Sequence, residues 1–167
     1  MLEACLAGTP PPRGEAAALA AECPEAFFKT VVEGLADRFE PALCDLYADL
    51  MAEALAAAEP ALDPAELAAR YRRVRRVRRS EADPAVVFVL SRITLGADVA
   101  VTSVLLDAVK RRFPAAEIRF TGPAKNYELF ARDPQIGWLP VSYPGGGIAE
   151  RLAPWRELRS VLARPDA

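Results

Sequence analysis

The chain has 167 residues, 52% hydrophobic and 26% charged with a net charge of −2, a composition that can bury a core and has room for one domain plus an extension. It contains no histidine, which excludes Ser-His-Asp and Cys-His triads, histidine metal sites and histidine general bases. Its three cysteines, Cys5, Cys23 and Cys44, form no CxxC pair, so a disulfide framework and a zinc site are disfavoured and a reducing cytosol is the expected compartment.

Residues 1–22 combine a triple proline at 10–12 with an Ala-rich stretch and read as a loosely ordered lead-in. Pro24 opens a helix in which Phe27, Phe28, Val31, Val32, Leu35 and Phe39 recur at three-to-four spacing, and Pro41 ends or bends it. A second helix carries Leu43, Leu46, Tyr47, Leu50, Met51 and Leu55 and stops at Glu59-Pro60. A third starts at Asp63, an N-cap followed by Pro64 and Glu66, and runs to about Arg79.

Composition changes near residue 80: Val, Ile and Thr number six before it and sixteen after it, and branched residues favour strands. The apolar run 85–90 reads as a parallel strand buried on both faces, followed by a loop over 91–97. Helix spacing over 98–113 places Val101, Val104, Leu105, Ala108 and Val109 on the inner face, with Lys110, Arg111 and Arg112 at the negative end. A second strand is expected over 117–121, a short helix over 124–132, a third strand over 138–142 and a last helix over 148–163. The expected fold class is therefore α/β, a three-stranded parallel Rossmann-like half domain over 81–167 preceded by a helical extension over 1–80.

Ligands of open α/β sheets bind at the carboxyl ends of strands, beside helix N-termini. The first such loop holds a cation, Arg92, a hydroxyl, Thr94, a glycine that permits close approach, Gly96, and a carboxylate, Asp98. It matches neither GxGxxG nor a Walker loop, so dinucleotide and ATP cradling are poorly supported. Asp98 has two readings: an N-cap turned onto backbone N–H groups, or a general base that reaches a substrate hydroxyl. Lys125 and Asn126, opening the next helix, are candidates for an anion contact or for ordinary surface polarity. The glycines 145–147 form an adjustable turn at another strand end, and the cysteines read as buried small apolar residues.

The stretches FVLSRITLGAD at 88–98, LLDAVKRRFPAAEI at 105–118, Gly122-Pro123 and FARDPQI at 130–136, taken in order, resemble the start of the heptosyltransferases, the family 9 glycosyltransferases. The resemblance covers about residues 85–163. It implies a GT-B enzyme, two Rossmann-like domains across a cleft, in which the first holds the acceptor and the second the nucleotide-sugar. It further implies metal-free, inverting transfer of a heptose from ADP-heptose to a lipopolysaccharide-type acceptor, with Asp98 as the base. Arg92, Thr94, Gly96, Lys125 and Asn126 would then contact the acceptor. The donor is a substrate, held by a further C-terminal domain or a partner chain, and no cofactor or metal is expected. Without that domain the chain is expected to be inactive, and its first strand to be an exposed apolar edge.

The other distinctive feature is RYRRVRRVRR at 70–79, seven arginines in ten residues, within a chain whose residues 1–69 carry thirteen acids and three bases. As a solvated helix, it would pack Leu67, Tyr71 and Val74 on the α/β part. As an anion-binding face, Arg72, Arg73, Arg75, Arg76 and Arg79 would lie on an inner-membrane surface. Nucleic acid is disfavoured, because the patch is short and no nucleic-acid fold accompanies it. The second functional reading is thus a non-catalytic module that binds anionic lipid or a protein through this helix and the open sheet edge. No apolar run approaches the about 18 residues that cross a bilayer, and the first fifteen residues do not form a signal peptide. The expected location is cytoplasmic or peripheral to the inner membrane.

Overall fold

The computed structural model describes residues 2–76, 81–91 and 95–162. The chain divides into two compact units, one of Met1–Arg79 with Gly145–Ala153 and one of Ser80–Pro144 with Pro154–Ala167.

In the first unit, α1 (Leu2–Leu6) and α2 (Glu15–Glu22) occupy the stretch expected to be a loose lead-in. They are ordered by burial of Cys5, Ala16 and Ala20. Pro24 opens α3 (Pro24–Phe27), where its fixed φ and missing N–H suit the first turn. The backbone then loosens into a π-helical turn over Phe28–Glu33 and a 3-10 turn over Ala36–Arg38. Phe27, Val31 and Leu35, spaced by four, are wholly buried. Phe39, expected on the same stripe, is 81% exposed, because it takes the left-handed conformation (φ 58°) and turns the chain into α4 (Pro41–Ala58).

The buried positions of α4 include Cys44, Ala48, Ala52 and Ala54, side chains small enough for α2 and α5 (Pro64–Val74) to pack closely on it. Asp63 caps α5 as expected, accepting from the Ala65 N–H at 3.0 Å. The helix stops at Val74, short of Arg79; positions 77–80 lie outside the described residues. Leu67 and Tyr71 line α4, with the Tyr71 ring 5.2 Å from that of Tyr47. Val74, expected to join them, is exposed, because the flank turned toward α4 carries Arg72 and Arg75 instead. Cys23 is exposed as well, whereas Cys5 and Cys44 are buried.

The second unit is α/β. Strand β1 (Val86–Leu90) is followed by a helical turn, α6 (Leu95–Ala97), a π-helical turn over Asp98–Thr102, and α7 (Ser103–Arg112). Then come β2 (Glu117–Gly122), α8 (Ala124–Tyr127) and β3 (Ile136–Pro140). The three strands form a parallel sheet in the order β1-β2-β3, with Val87 beside Ile118 and Phe120 beside Trp138. Its core joins Val89, Leu106, Ile118, Phe120 and Ile136, flanked by Val87, Val109, Tyr127 and Phe130. The last helix, α9 (Ile148–Leu162), contains Pro154; its residues 148–153 belong to the first unit and the rest to the second.

Strand β3 begins two residues before Trp138, and α8 is a single turn rather than a helix to Arg132. The larger correction concerns the helix after β1. It is already helical at Leu95, and it turns Asp98, Thr102 and Leu106 inward. The expected inner residues Val101, Val104 and Leu105 point outward, 52%, 61% and 51% exposed. Apolar periodicity misplaced this face because two of the inward residues are polar, and because the π-helical turn over Asp98–Thr102 inserts an extra residue per turn ahead of α7.

Replacing Leu35 by Ala should cost about 2–5 kcal/mol in a urea unfolding titration, as befits a fully enclosed leucine. Phe39→Ala should change the midpoint by less than about 0.5 kcal/mol equivalent, since its ring has little to lose.

Candidate functional site

Strands β1 and β2 end side by side, and the polar side chains at their carboxyl ends converge on Asp98. Parallel pairing carries past the last residue of β1: the Ser91 N–H donates to the Thr121 carbonyl at 2.8 Å, which fixes Ser91 over the end of the sheet. Its hydroxyl donates to both carboxylate oxygens of Asp98, at 2.7 and 2.9 Å. Thr102, one turn further along the helix, donates to Asp98 Oδ1 at 2.6 Å, and the side-chain amide of Asn126 on α8 donates to Oδ2. Asp98 is 0% exposed, and Ser91, Thr102 and Asn126 are buried around it. One carboxylate thus ties the end of β1, the start of the helix after it and the helix after β2.

This arrangement differs from the expected N-cap, and it encloses the carboxylate. The carboxylate is not an N-cap, because helix precedes it at Leu95 and its partners are side-chain hydroxyls and an amide. Nor does it face solvent as a free base does; its oxygens are occupied by three donors.

Asn126, expected to touch an acceptor, is the inner member of its pair, while Lys125 beside it is exposed. Gly96 is exposed, and a Cβ added there would meet nothing within 4 Å, so the space above the helix start is open. Arg92 and Thr94 lie outside the described residues. The structure therefore brings Asp98 and Asn126 together and leaves Gly96 and Lys125 at the surface of the same end of the sheet.

Three contributors escaped sequence reasoning. Ser91 directly follows the strand and Thr102 stands four residues after Asp98, a spacing that places two polar groups on one helix face. Gly122 read as a turn residue, yet its role is steric: a Cβ would come within 2.9 Å of the Ser91 carbonyl oxygen. Its own carbonyl accepts from the Trp138 indole N–H at 2.9 Å and the Val141 N–H at 3.2 Å.

The arginine-rich helix presents a different electrostatic picture from the bare cationic stripe. Arg72 pairs with Asp49 at 2.7 Å and Asp45 at 3.6 Å, and Arg75 reaches Asp45 at 3.8 Å and lies over the Tyr71 ring. Arg73 and Arg70 share Glu66. Arg76 is exposed, and Arg79 lies outside the described residues. Two aspartates four apart on α4 thus offset the charge that α5 shows in isolation. Burial and then the neighbouring Cys44 push the Tyr71 phenol above its ordinary range. Among the described residues no group of histidine, cysteine or carboxylate side chains has the arrangement of a metal site, and no helix is long and apolar enough to cross a membrane.

Removing the Asp98 carboxylate with Ala strands two hydroxyls and an amide in the interior, at about 1–3 kcal/mol for each orphaned group. Asp98→Ala should therefore lower thermal stability far more than Arg72→Ala, an exposed pair worth under about 1 kcal/mol; calorimetry compares them directly. In searches of family models, curated proteins and solved structures, the chain finds no match.

Proposed function

We propose that the α/β unit is the acceptor-side half of a glycosyltransferase of the heptosyltransferase kind, Rossmann-like in fold. It would move a sugar from a nucleotide-sugar to a lipopolysaccharide-type or other glycan acceptor. The observation that supports this reading is the position of the Asp98 cluster, at the carboxyl ends of adjacent parallel strands, where open α/β sheets hold their ligands. Gly96 offers open room there and Lys125 a cation for an acceptor phosphate, and Arg92 and Thr94 stand within four positions of Gly96 in the sequence.

In this reading the acceptor hydroxyl takes the place of the Ser91 hydroxyl, which bonds both oxygens of Asp98 and is replaced like for like. Asp98 receives the acceptor proton while the acceptor oxygen attacks the anomeric carbon and the nucleoside diphosphate leaves. Thr102 and Asn126 hold the carboxylate through the transfer. General base catalysis of this kind contributes about 10²–10⁴ in rate. The nucleotide-sugar is bound by a further domain or partner chain, and the work takes place in the cytoplasm or at the inner face of the membrane.

The alternative, a module that binds anionic lipid through the arginine helix, has less behind it, because Arg72, Arg73 and Arg75 already have carboxylate partners. Nuclear magnetic resonance titration of the chain with a phosphorylated heptose separates the two. The proposal expects amide shifts at Gly96, Lys125 and Asn126 that Lys125→Ala weakens. It fails if no shift appears, or if vesicles of phosphatidylglycerol perturb Arg72–Arg76 while the sugar perturbs nothing.

A further inference from the structure

The carboxyl end of the sheet carries an aromatic side chain that the Asp98 cluster does not use. Trp138, on β3, is 42% exposed, yet its ring is held at two points. The indole N–H donates to the Gly122 carbonyl at 2.9 Å. The Tyr127 ring stacks on it, with centroids 5.4 Å apart and planes 7° apart. An exposed tryptophan fixed in this way has already lost its rotamer freedom, so contact with a ligand costs little further entropy.

The two rings have a defined order along the sheet. Trp138 pairs with Phe120, and its N–H reaches Gly122, two residues nearer the carboxyl end of β2. Tyr127 lies the other way. Its hydroxyl donates to the Ile136 carbonyl at 3.2 Å, two residues before Trp138, and its ring is 6.1 Å from that of Phe120. Tyr127 therefore covers the indole face turned toward the start of the strands, and the opposite face looks toward the end at which Asp98 lies. With its N–H already bonded, the indole offers a ligand only its π face and C–H edge. Such a face attracts positively polarised C–H groups.

The same end of the sheet ties this ring to the carboxylate. A Cβ on Gly122 would come within 2.9 Å of the Ser91 carbonyl oxygen, so the two residues adjoin where β1 and β2 end. Ser91 bonds Asp98 and Gly122 bonds Trp138. The indole thus stands roughly 10 Å from the carboxylate, about two strand spacings. Helix α8 spans the gap, since Asn126 bonds Asp98 and its neighbour Tyr127 backs the indole.

We infer that Trp138 is a stacking platform for a sugar ring of the acceptor, the ring adjacent to the one whose hydroxyl meets Asp98. The inference rests on the acceptor reading above. A sugar ring carries on one side a patch of C–H groups polarised by the neighbouring oxygens, complementary to the bare indole face, while its hydroxyls remain in water. A single ring seated at Asp98 does not reach the indole, and two linked rings do. Trp138 therefore selects an acceptor of at least two sugars.

Nuclear magnetic resonance of the two indole N–H groups tests this, with Trp155 on α9 as the internal reference. The probes are a phosphorylated heptose, the corresponding phosphorylated heptose disaccharide, and ADP. The disaccharide is expected to shift the Trp138 indole together with the amides of Gly96 and Lys125, and the single sugar to shift the amides alone. Trp138→Leu should weaken disaccharide binding roughly tenfold, toward the affinity of the single sugar. Trp138→Phe, which keeps a ring face, should recover part of that loss. The inference alone is overturned if the disaccharide shifts Gly96 and Lys125 but not the indole, if Trp138→Leu binds it as tightly as the wild type, or if ADP and not the disaccharide moves the indole. No shift at any of these groups with either sugar overturns the acceptor reading and this inference with it. If Trp138→Leu fails to fold, the wild-type indole shifts decide the matter.

Discussion

The α/β unit depends on a carboxylate that is out of reach of water. Asp98 accepts from Ser91, Thr102 and Asn126, which stand on three consecutive segments of the chain: the end of β1, the helix after it and the helix after β2. Two crossovers of a parallel sheet are thereby tied at one point, at the end where the strands stop and main-chain pairing no longer holds them. A buried polar network is favourable only when each member is satisfied, which is why Gly122 must lack a side chain beside the Ser91 carbonyl.

That same tie sets the orientation of the helix after β1. With Asp98 and Thr102 drawn inward, Leu106 follows into the core, and Val101, Val104 and Leu105 are left outside. The exposed stripe is a consequence of the polar anchor and is not a failure of packing. A helix whose inner line is part polar leaves apolar residues on its outer side. The polar anchor and the exposed apolar residues are thus two sides of one helix.

Much of the architecture was legible in the sequence because it rests on local chemistry. Strand β1 was readable from its run of apolar residues, α5 from the Asp63-Pro64 start, and α9 from its place after the glycines 145–147. The parallel order followed from strands alternating with helices. What could not be read was set by distant partners. The arginines of α5 looked like a free cationic face until Asp45 and Asp49 on α4 were placed opposite them. The inner face of the helix after β1 was misjudged because hydrophobic periodicity counts a buried aspartate and threonine as outward. Ser91 and Gly122 had no signal of their own, since the need for a hydroxyl and for the lack of a side chain arises only where β1 and β2 end together. Asp98 lies at the end of the sheet to which the strand-helix order pointed, and the side chains gathered around it were not legible.

The π-helical turn at Asp98–Thr102 makes the helix phase adjustable in a single step. The Ser103 N–H reaches back five residues to the Asp98 carbonyl, so this turn holds one residue more than a regular helix. Loss of one residue inside it would restore regular spacing and rotate α7 by about 100° relative to Asp98. That rotation would carry Thr102 away from Asp98 and bring a different line of side chains onto the sheet, while β1, β2 and the Ser91 and Asn126 bonds to Asp98 stayed in place. Loss of a single residue in this turn would thus change which side chains the helix presents outward without altering the strands.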